Sequence, residues 1–116
     1  MKLTIKGRIP SKKNQRDIFV RGGRIVNIPS EKYREWHREA SKQIRNAKSG
    51  DYHNAHITMF APDKRKADLT NKAESIMDLL VDNKVIKDDN WFEIENIVLL
   101  FGGVDRENPR AEIELT

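Results

Sequence analysis

One stretch of the chain, residues 68–82, constrains the fold more than any other. On a helix at roughly 100° per residue, its polar and apolar residues fall on opposite arcs. The apolar arc contains Leu69, Ala73, Ile76, Met77 and Leu80, and the polar arc contains Asp68, Asn71, Glu74 and Asp78. Such a helix is stable mainly through the packing of its apolar arc, so we predict that it lies against a β-sheet.

The residues on either side of this helix supply the predicted sheet. Alternating apolar and polar residues predict a first strand from Lys2 to Arg8. Two β-rich runs flank Gly22-Gly23, which predicts a hairpin with a two-residue turn. Further β-rich runs predict strands from Ala55 to Ala61, from Trp91 to Phe101 and from Ala111 to Leu115.

A second amphipathic helix is predicted between the hairpin and the third β-rich run. It begins after Ser30, a good N-cap, and extends from Glu31 to about Lys48. We expect Asn83 to be a left-handed cap for the helix at residues 68–82. We also expect Gly102-Gly103 to end the strand that begins at Trp91. The resulting order of elements is β, β-hairpin, α, β, α, β, β. We therefore predict an α+β fold with a mixed sheet and two helices, formed by residues 1–116 as one domain.

Composition narrows the classes of function. No run of about 18 apolar residues is present, so we expect no membrane span and no membrane partner. The charged, alternating start of the chain is unlike a signal peptide. The absence of cysteine excludes disulfides and a thiolate zinc site, and it is compatible with the reducing cytoplasm, where we expect the protein to act.

Charge is distributed unevenly along the chain. Residues 1–48 contain 14 Lys and Arg but 4 Asp and Glu, whereas residues 49–116 contain 8 and 14 respectively. This division predicts a basic docking face from the first half and an acidic centre from the second. Solvated surface charge is the simpler alternative.

Four carboxylates, Asp68, Glu74, Asp88 and Asp89, follow directly on the basic cluster Lys64-Arg65-Lys66. Carboxylates held close together repel one another unless a cation lies among them, and Mg²⁺ prefers oxygen ligands. A basic protein with an acidic metal pocket is typical of phosphodiester chemistry, in which the metal activates water. Taken alone, such an Asp88-Asp89 pair is more often a solvated turn than a ligand, and Asp68 could be a helix N-cap.

One other nuclease-like pattern is rejected. Pro62-Asp63 with Asp82-Asn83-Lys84 imitates a restriction-type nuclease motif, but its second part falls at a predicted helix end and that motif requires a strand. His53 and His56 are three residues apart at the start of a predicted strand, so we interpret them as satisfied or exposed histidines.

Several side chains could contact a nucleic acid directly. Lys12, Lys13 and Arg16 lie in a predicted loop and could bind phosphates. We expect Trp36 to pack in the core, whereas both packing and base stacking stay open for Trp91.

Two segments resemble the RusA family of Holliday-junction resolvases. The family pattern is a proline, a basic stretch, Asp-Leu-Asp-Asn at the start of a helix, an Asp-Ala-Leu-like helix end and then Asp-Asp. This chain has Pro62-Asp63-Lys64-Arg65-Lys66-Ala67-Asp68-Leu69-Thr70-Asn71-Lys72, continued through Asp78 to Asp88-Asp89. The loop Pro10-Ser11-Lys12-Lys13-Asn14 is similar to the Pro-Ser-x-Asn segment near the amino end of that family.

The resemblance implies a homodimeric, Mg²⁺-dependent endonuclease that cuts four-way DNA junctions symmetrically. The family's catalytic carboxylates correspond to Asp68, Asp88 and Asp89. The chain departs from the pattern at two positions, because Thr70 replaces the second helix aspartate and Glu74 replaces a lysine. We interpret Glu74 as the missing carboxylate, supplied one turn later.

The sequence-based assignment of the site is therefore specific. We predict that one or two Mg²⁺ ions, or Mn²⁺ as a substitute, are bound by Asp68, Glu74, Asp88 and Asp89. Lys72 is the predicted catalytic cation, and the predicted DNA contacts are Lys12, Lys13, Asn14, Arg16, Lys64, Arg65 and Lys66. The expected partners are junction DNA, in recombination or repair, and a second copy of the chain, without a small-molecule cofactor.

Two other functions stay open at this stage. The first is a junction- or DNA-binding protein without activity, in which Thr70 and Glu74 mark a dead site. The second is a small adaptor whose acidic helix binds a basic partner, which the basic first half of the chain disfavours.

Overall fold

The computed structural model describes residues 1–11 and 16–116, apart from the side chain of Arg16. The elements of these residues are β1 (Lys2–Lys6), β2 (Arg16–Arg21), β3 (Arg24–Pro29), α1 (Glu31–Gln43), β4 (Asn54–Ala61), α2 (Leu69–Asp82), β5 (Asn96–Val104) and β6 (Arg110–Leu115). The predicted α+β class and element order are confirmed. Neither helix of the described residues is long and apolar enough to cross a membrane.

The main sheet has four strands in the order β1-β6-β4-β5. β5 runs parallel to β4, as expected for two strands joined through α2, and the other two pairs are antiparallel. Alternate residues of the central strands are buried, including Ile57 of β4 and the residue paired with it, Ile113 of β6. The core therefore lies on the face of the sheet that the helices cover.

The predicted hairpin is confirmed as a separate two-stranded sheet of β2 and β3. Gly22 and Gly23 both have positive φ, 59° and 77°, as a two-residue turn of the primed type requires. The turn places Arg21 opposite Arg24, and both side chains are exposed.

Helix α2 is buried on more than its predicted apolar arc. Ala73, Ile76, Met77 and Leu80 of that arc are buried, as expected. Ser75 and Leu79 are also fully buried, and the Ser75 hydroxyl donates to the carbonyl of Pro10 at 2.7 Å. The segment before β2 thus covers a second side of the helix, whereas Thr70 and Glu74 stay exposed.

The end of α1 and the left-handed cap of α2 differ from the prediction, whereas α2 ends at Asp82 as expected. Ser30 is the N-cap of α1, as expected, and accepts the N–H of Tyr33. However, α1 ends at Gln43 and not near Lys48, because the chain turns there and buries Ile44. At the end of α2, Asn83 has φ −89° and the left-handed residue is Lys84, φ 57°.

A side-chain contact explains the shift from Asn83 to Lys84. The Asn83 amide donates to the carbonyl of Leu79 and to the hydroxyl of Ser41, on α1. These bonds keep Asn83 against the helix, so the chain reverses one residue later. The prediction of Asn83 as the left-handed cap was wrong.

Strand β5 also has different ends. It begins at Asn96 and not at Trp91, and it continues through Gly102-Gly103 to Val104. The glycines do not end the strand. Gly102 instead lets the ring of Phe60 lie close to the backbone of β5, since a Cβ at this position would lie 2.6 Å from that ring. The pairing of β4 with β5 shifts register at the same place.

Candidate functional site

Asp68 is the residue that precedes the first turn of α2. Its backbone is extended, and its side chain makes no capping hydrogen bond to the helix. The Asp68 carboxylate instead accepts the amide of Asn71 at 3.1 Å, and it is exposed. The carboxylate is thus held in place next to the positive end of the helix, and among the described residues it accepts no backbone N–H.

The loop before Asp68 is organised by Asp63. Its carboxylate accepts the guanidinium of Arg8 at 2.5 Å and the Nε and Nη2 atoms of Arg65 at 3.1 and 2.9 Å. Hydrogen bonds from the Arg65 side chain and backbone, and then from Arg8, hold the pKa of Asp63 far below its usual range. Asp63, five residues before Asp68 in the chain, therefore orders the guanidinium groups of Arg8 and Arg65.

Lys72 joins this basic group from the first turns of α2. Its ammonium donates to the carbonyl of Ile9, and the side chain is half-buried. Burial, followed by the charges of Arg8 and Arg65, lowers the pKa of Lys72. Three cations therefore lie close enough to repel one another, a condition that a bound phosphate would relieve.

Asp88 and Asp89 lie in a tight turn between α2 and β5. The Asp88 carboxylate accepts the backbone N–H of Asp89 at 2.8 Å and the side-chain amide of Asn90 at 3.0 Å. These bonds fix the orientation of Asp88, so the two carboxylates are held side by side.

The two carboxylates differ in acidity. Hydrogen bonds from the backbone of Asp89 and the side chain of Asn90 lower the pKa of Asp88. Partial burial, followed by the hydrogen bond and the charge of Asp88, raises the pKa of Asp89. Two neighbouring carboxylates with opposite shifts are typical of a site where a cation or a proton is needed.

Glu74 lies on the exposed side of α2. Helical geometry places it about 120° around the axis from Asp68, at the other end of the polar arc. Within residues 1–11 and 16–116, its carboxylate makes no hydrogen bond and no ion pair. Nothing in the described chain therefore engages the group that we predicted as a metal ligand.

A second group of metal-type side chains was not anticipated. His37, Asp78 and Asp82 offer ligand atoms that lie within 4.8 Å of one another, and they are the one such group of three or more among the described residues. The His37 imidazole bonds to Asp82 at 2.8 Å, and Tyr33 donates to Asp78 at 2.6 Å. Burial, followed by the bond to Asp78, raises the pKa of Tyr33, which keeps its hydroxyl a donor.

A signal for this group was present in the sequence. Tyr33 and His37 are four residues apart on α1, as are Asp78 and Asp82 on α2, so each pair shares one helix face. Because α1 and α2 pack against each other, these two faces form hydrogen bonds between the helices. We interpret the group as a link between α1 and α2 beside an open groove of about 780 Å³.

Of the four predicted ligands, two lie side by side. Asp88 lies beside Asp89, and Asp68 is bonded to Asn71. Among the residues that the structure describes, Asp68, Glu74 and the Asp88-Asp89 pair do not form one group of ligand atoms within 4.8 Å. A metal site that joins all four stays a prediction.

The predicted DNA contacts are known in part. Lys64, Arg65 and Lys66 are exposed in the loop before α2. Lys12, Lys13 and Asn14 lie outside the described residues, and Arg16 is described only as the first residue of β2. Arg8 was not predicted, although it shares the carboxylate of Asp63 with Arg65.

Comparisons with known proteins agree on a single family. The profile of the family described as endodeoxyribonuclease RusA matches residues 9–116, a range that contains every predicted metal ligand. The crossover junction endodeoxyribonuclease RusA of Aquifex aeolicus (strain VF5) is 30% identical over 95 residues, which covers 78% of this chain and 74% of that protein. The resemblance of the two sequence segments is thereby confirmed, and the chain belongs to the RusA family of endodeoxyribonucleases.

Proposed function

We propose that this protein is a metal-dependent endonuclease that resolves four-way DNA junctions in recombination or repair. Its family and its relative in Aquifex aeolicus support the reaction class and the substrate. The observation that carries the proposed site is the Asp88-Asp89 pair, in which partial burial, followed by the hydrogen bond and the charge of the fixed Asp88 carboxylate, raises the pKa of Asp89. A divalent cation would relieve the repulsion between the two carboxylates and could activate water for phosphodiester hydrolysis.

The donors fit Mg²⁺ by their chemistry. Asp68, Glu74, Asp88 and Asp89 are all exposed carboxylates, and hard oxygen atoms are the ligands that Mg²⁺ and Mn²⁺ prefer. Asp68 is already oriented by Asn71, and Asp88 by Asn90, which lowers the entropic cost of binding. When bound, the ion would activate water and stabilise negative charge on the phosphate oxygens.

The basic side chains before α2 are proposed to bind the DNA backbone. Asp63 holds the guanidinium groups of Arg8 and Arg65 through ion pairs. Planar guanidinium groups can donate two parallel hydrogen bonds to phosphate oxygens. Lys64, Lys66 and Lys72 add positive charge next to Asp68. This arrangement would bring a phosphate to the acidic site despite the repulsion between the two anions.

We further propose that the active species is a homodimer. A four-way junction has nearly twofold symmetry, and two active sites related by a twofold axis could cut opposite strands. Sedimentation of the free protein and of its junction complex measures this directly, with two chains per junction as the expected result.

The test is incubation of the purified protein with a synthetic four-way junction and Mg²⁺. Paired symmetric cuts are expected from the unchanged protein, whereas Asp68→Asn and Asp89→Asn should bind the junction without cutting it. Glu107→Gln, at an exposed acid between β5 and β6, is the matched control and should cut normally. Normal cutting by either aspartate variant would exclude that residue from the site.

One observation favours a second candidate, a junction-binding protein without nuclease activity. The described chain does not gather the predicted ligands into one group, and Thr70 replaces an acidic residue of the family pattern. Saturable junction binding with no cleavage in Mg²⁺ or Mn²⁺ would establish this function in place of the first.

A further inference from the structure

Two aromatic side chains follow the acidic turn and are almost fully exposed. Trp91 is 79% exposed and Phe92 is 81% exposed, the highest values among the aromatic residues of the described chain. Trp36, by contrast, packs against the core. Large apolar side chains left in water in adjacent positions are unusual and often indicate a binding surface.

The turn that carries these aromatic residues is ordered on both sides. The Asn90 side-chain oxygen accepts the backbone N–H groups of Phe92 and Glu93 at 3.0 and 3.3 Å. Ile94, two residues after Phe92, is buried and donates its N–H to the carbonyl of Asn90. The aromatic pair is therefore presented by a fixed backbone.

The two rings do not stack on each other. Their centroids are 6.3 Å apart and their planes are inclined at 76°, an edge-to-face arrangement. Each ring in such a pair keeps at least one face uncovered by the other. An uncovered, solvent-exposed ring face suits another flat, uncharged group, and a nucleobase is such a group.

The position of the aromatic pair indicates where in the junction this nucleobase would lie. Trp91 is two residues from Asp89, which the proposed function places at the scissile phosphate. The acids of the same turn, including Asp88 and Glu93, disfavour a close approach of further phosphates but not of a neutral base. Bases at the exchange point of a junction are the ones that an apolar side chain can most easily unstack.

We propose that Trp91 and Phe92 form a stacking platform for nucleobases unstacked at the exchange point of the junction. The platform holds the branch open beside the phosphate to be cut, so it distinguishes a junction from continuous duplex. This proposal rests on the proposed function, which supplies the junction substrate and the position of Asp89, but its binding tests need no cutting.

The first test uses tryptophan fluorescence. The chain contains two tryptophans, so Trp36→Phe leaves Trp91 as the sole reporter. In EDTA, where cutting is absent, a four-way junction should quench the emission of Trp91 along the binding curve of a labelled junction. A linear duplex of the same arm sequence should not. Unchanged emission at saturating junction would overturn the proposal.

The second test uses affinity. Trp91→Ala and Phe92→Ala should each weaken junction binding by roughly tenfold or more, with little change for linear duplex, and Trp91→Phe should retain most of the affinity. Leu100→Ala, at an exposed apolar residue of β5, is the matched control and should bind normally. Equal losses for junction and duplex would contradict a branch-specific platform.

The failure of this proposal can be told apart from the failure of the nuclease proposal. Quenching of Trp91 by a protein that never cuts would support the platform and exclude the nuclease. Normal cutting without quenching would do the reverse. Two results together would assign the aromatic pair to the interface between copies and exclude the platform. Trp91→Ala would convert a dimer to a monomer, and the emission of Trp91, where it is retained, would not change when DNA is added.

Discussion

The start of α2 and the turn at residues 88–92 both carry predicted metal ligands, yet their surroundings are opposite. Around Asp63, just before α2, the charged neighbours are the guanidinium groups of Arg8 and Arg65, and burial, followed by the charges of these two arginines, lowers the pKa of Lys72 on α2. Around Asp89 the closest charge is another carboxylate, which together with burial raises its pKa. The start of α2 therefore has an excess of positive charge, and the turn has an excess of negative charge.

This difference separates two tasks that a nuclease must combine. A phosphate is attracted to the start of α2 before any metal is present, because the positive charge there exceeds the negative. The turn, in contrast, repels phosphate until a cation neutralises it. We infer that the first region mainly binds the backbone of the DNA and that the second mainly recruits the metal.

The largest expected effect tests whether Glu74 belongs with the metal ligands. Glu74→Gln should lower the cleavage rate by orders of magnitude, because a neutral amide is a poor ligand for Mg²⁺. Thr70→Asp in the same background should restore part of the rate by supplying a carboxylate at the family position. The measurement is single-turnover cleavage of a four-way junction.

Glu74 is exposed, so its substitution should leave the unfolding free energy within about 0.5 kcal/mol of the original. Full Mg²⁺-dependent cutting by Glu74→Gln would instead show that it is a solvated helix residue and leave a site of three aspartates.

A smaller effect is expected from the basic residues before and at the start of β2. Replacement of Lys12, Lys13 and Arg16 by alanine together should weaken junction binding and reduce the slope of log affinity against log salt by up to about 3. Metal binding at the turn should be unaffected, since these residues are assigned to the DNA backbone. An unchanged salt slope would place all three off the path of the DNA.

The smallest effect concerns the pH dependence of stability through Asp63. Because Arg65 and Arg8 lower the pKa of Asp63 in the folded state, the stabilisation is present above the pKa of the unfolded chain. It is lost as the pH falls through the lower folded-state pKa. Asp63→Asn should therefore flatten the acid side of a plot of unfolding free energy against pH.

The same substitution at Asp88, whose partners are one neighbouring N–H and one amide, provides the comparison. Asp63→Asn should also weaken junction binding, because it releases Arg8 and Arg65, whereas Asp88→Asn should not. Equal binding by the two variants would remove the distinction between the regions.

Periodic patterns predicted most of the fold. The apolar arc of α2, the alternation in β6, the N-cap at Ser30 and the glycine turn all follow from neighbours within a few residues. The errors lie where a distant residue intervenes. Ser41 helps to hold Asn83 against α2, and the ring of Phe60 lies where a side chain at Gly102 would be.

The candidate site divides in the same way. Asp68, Asp88 and Asp89 were predicted from the chain because their spacing matches a family pattern, and their role as ligands stays a prediction. Arg8 was not predicted, since it lies 55 residues from Asp63, its ion-pair partner, and no local pattern relates the two. The link of His37 to Asp82 likewise depends on the packing of α1 against α2.

The sequence by itself determined the type of each element and the family, and it predicted the acidic residues of the site, because these depend on periodicity and on short motifs. Only the tertiary structure decided which charges meet. Electrostatic interactions depend on distance and burial in three dimensions, and both are set by how the segment before β2, α1 and the sheet close around α2. For that reason the pairing of Arg8 with Asp63 and of His37 with Asp82 became visible only in the folded chain.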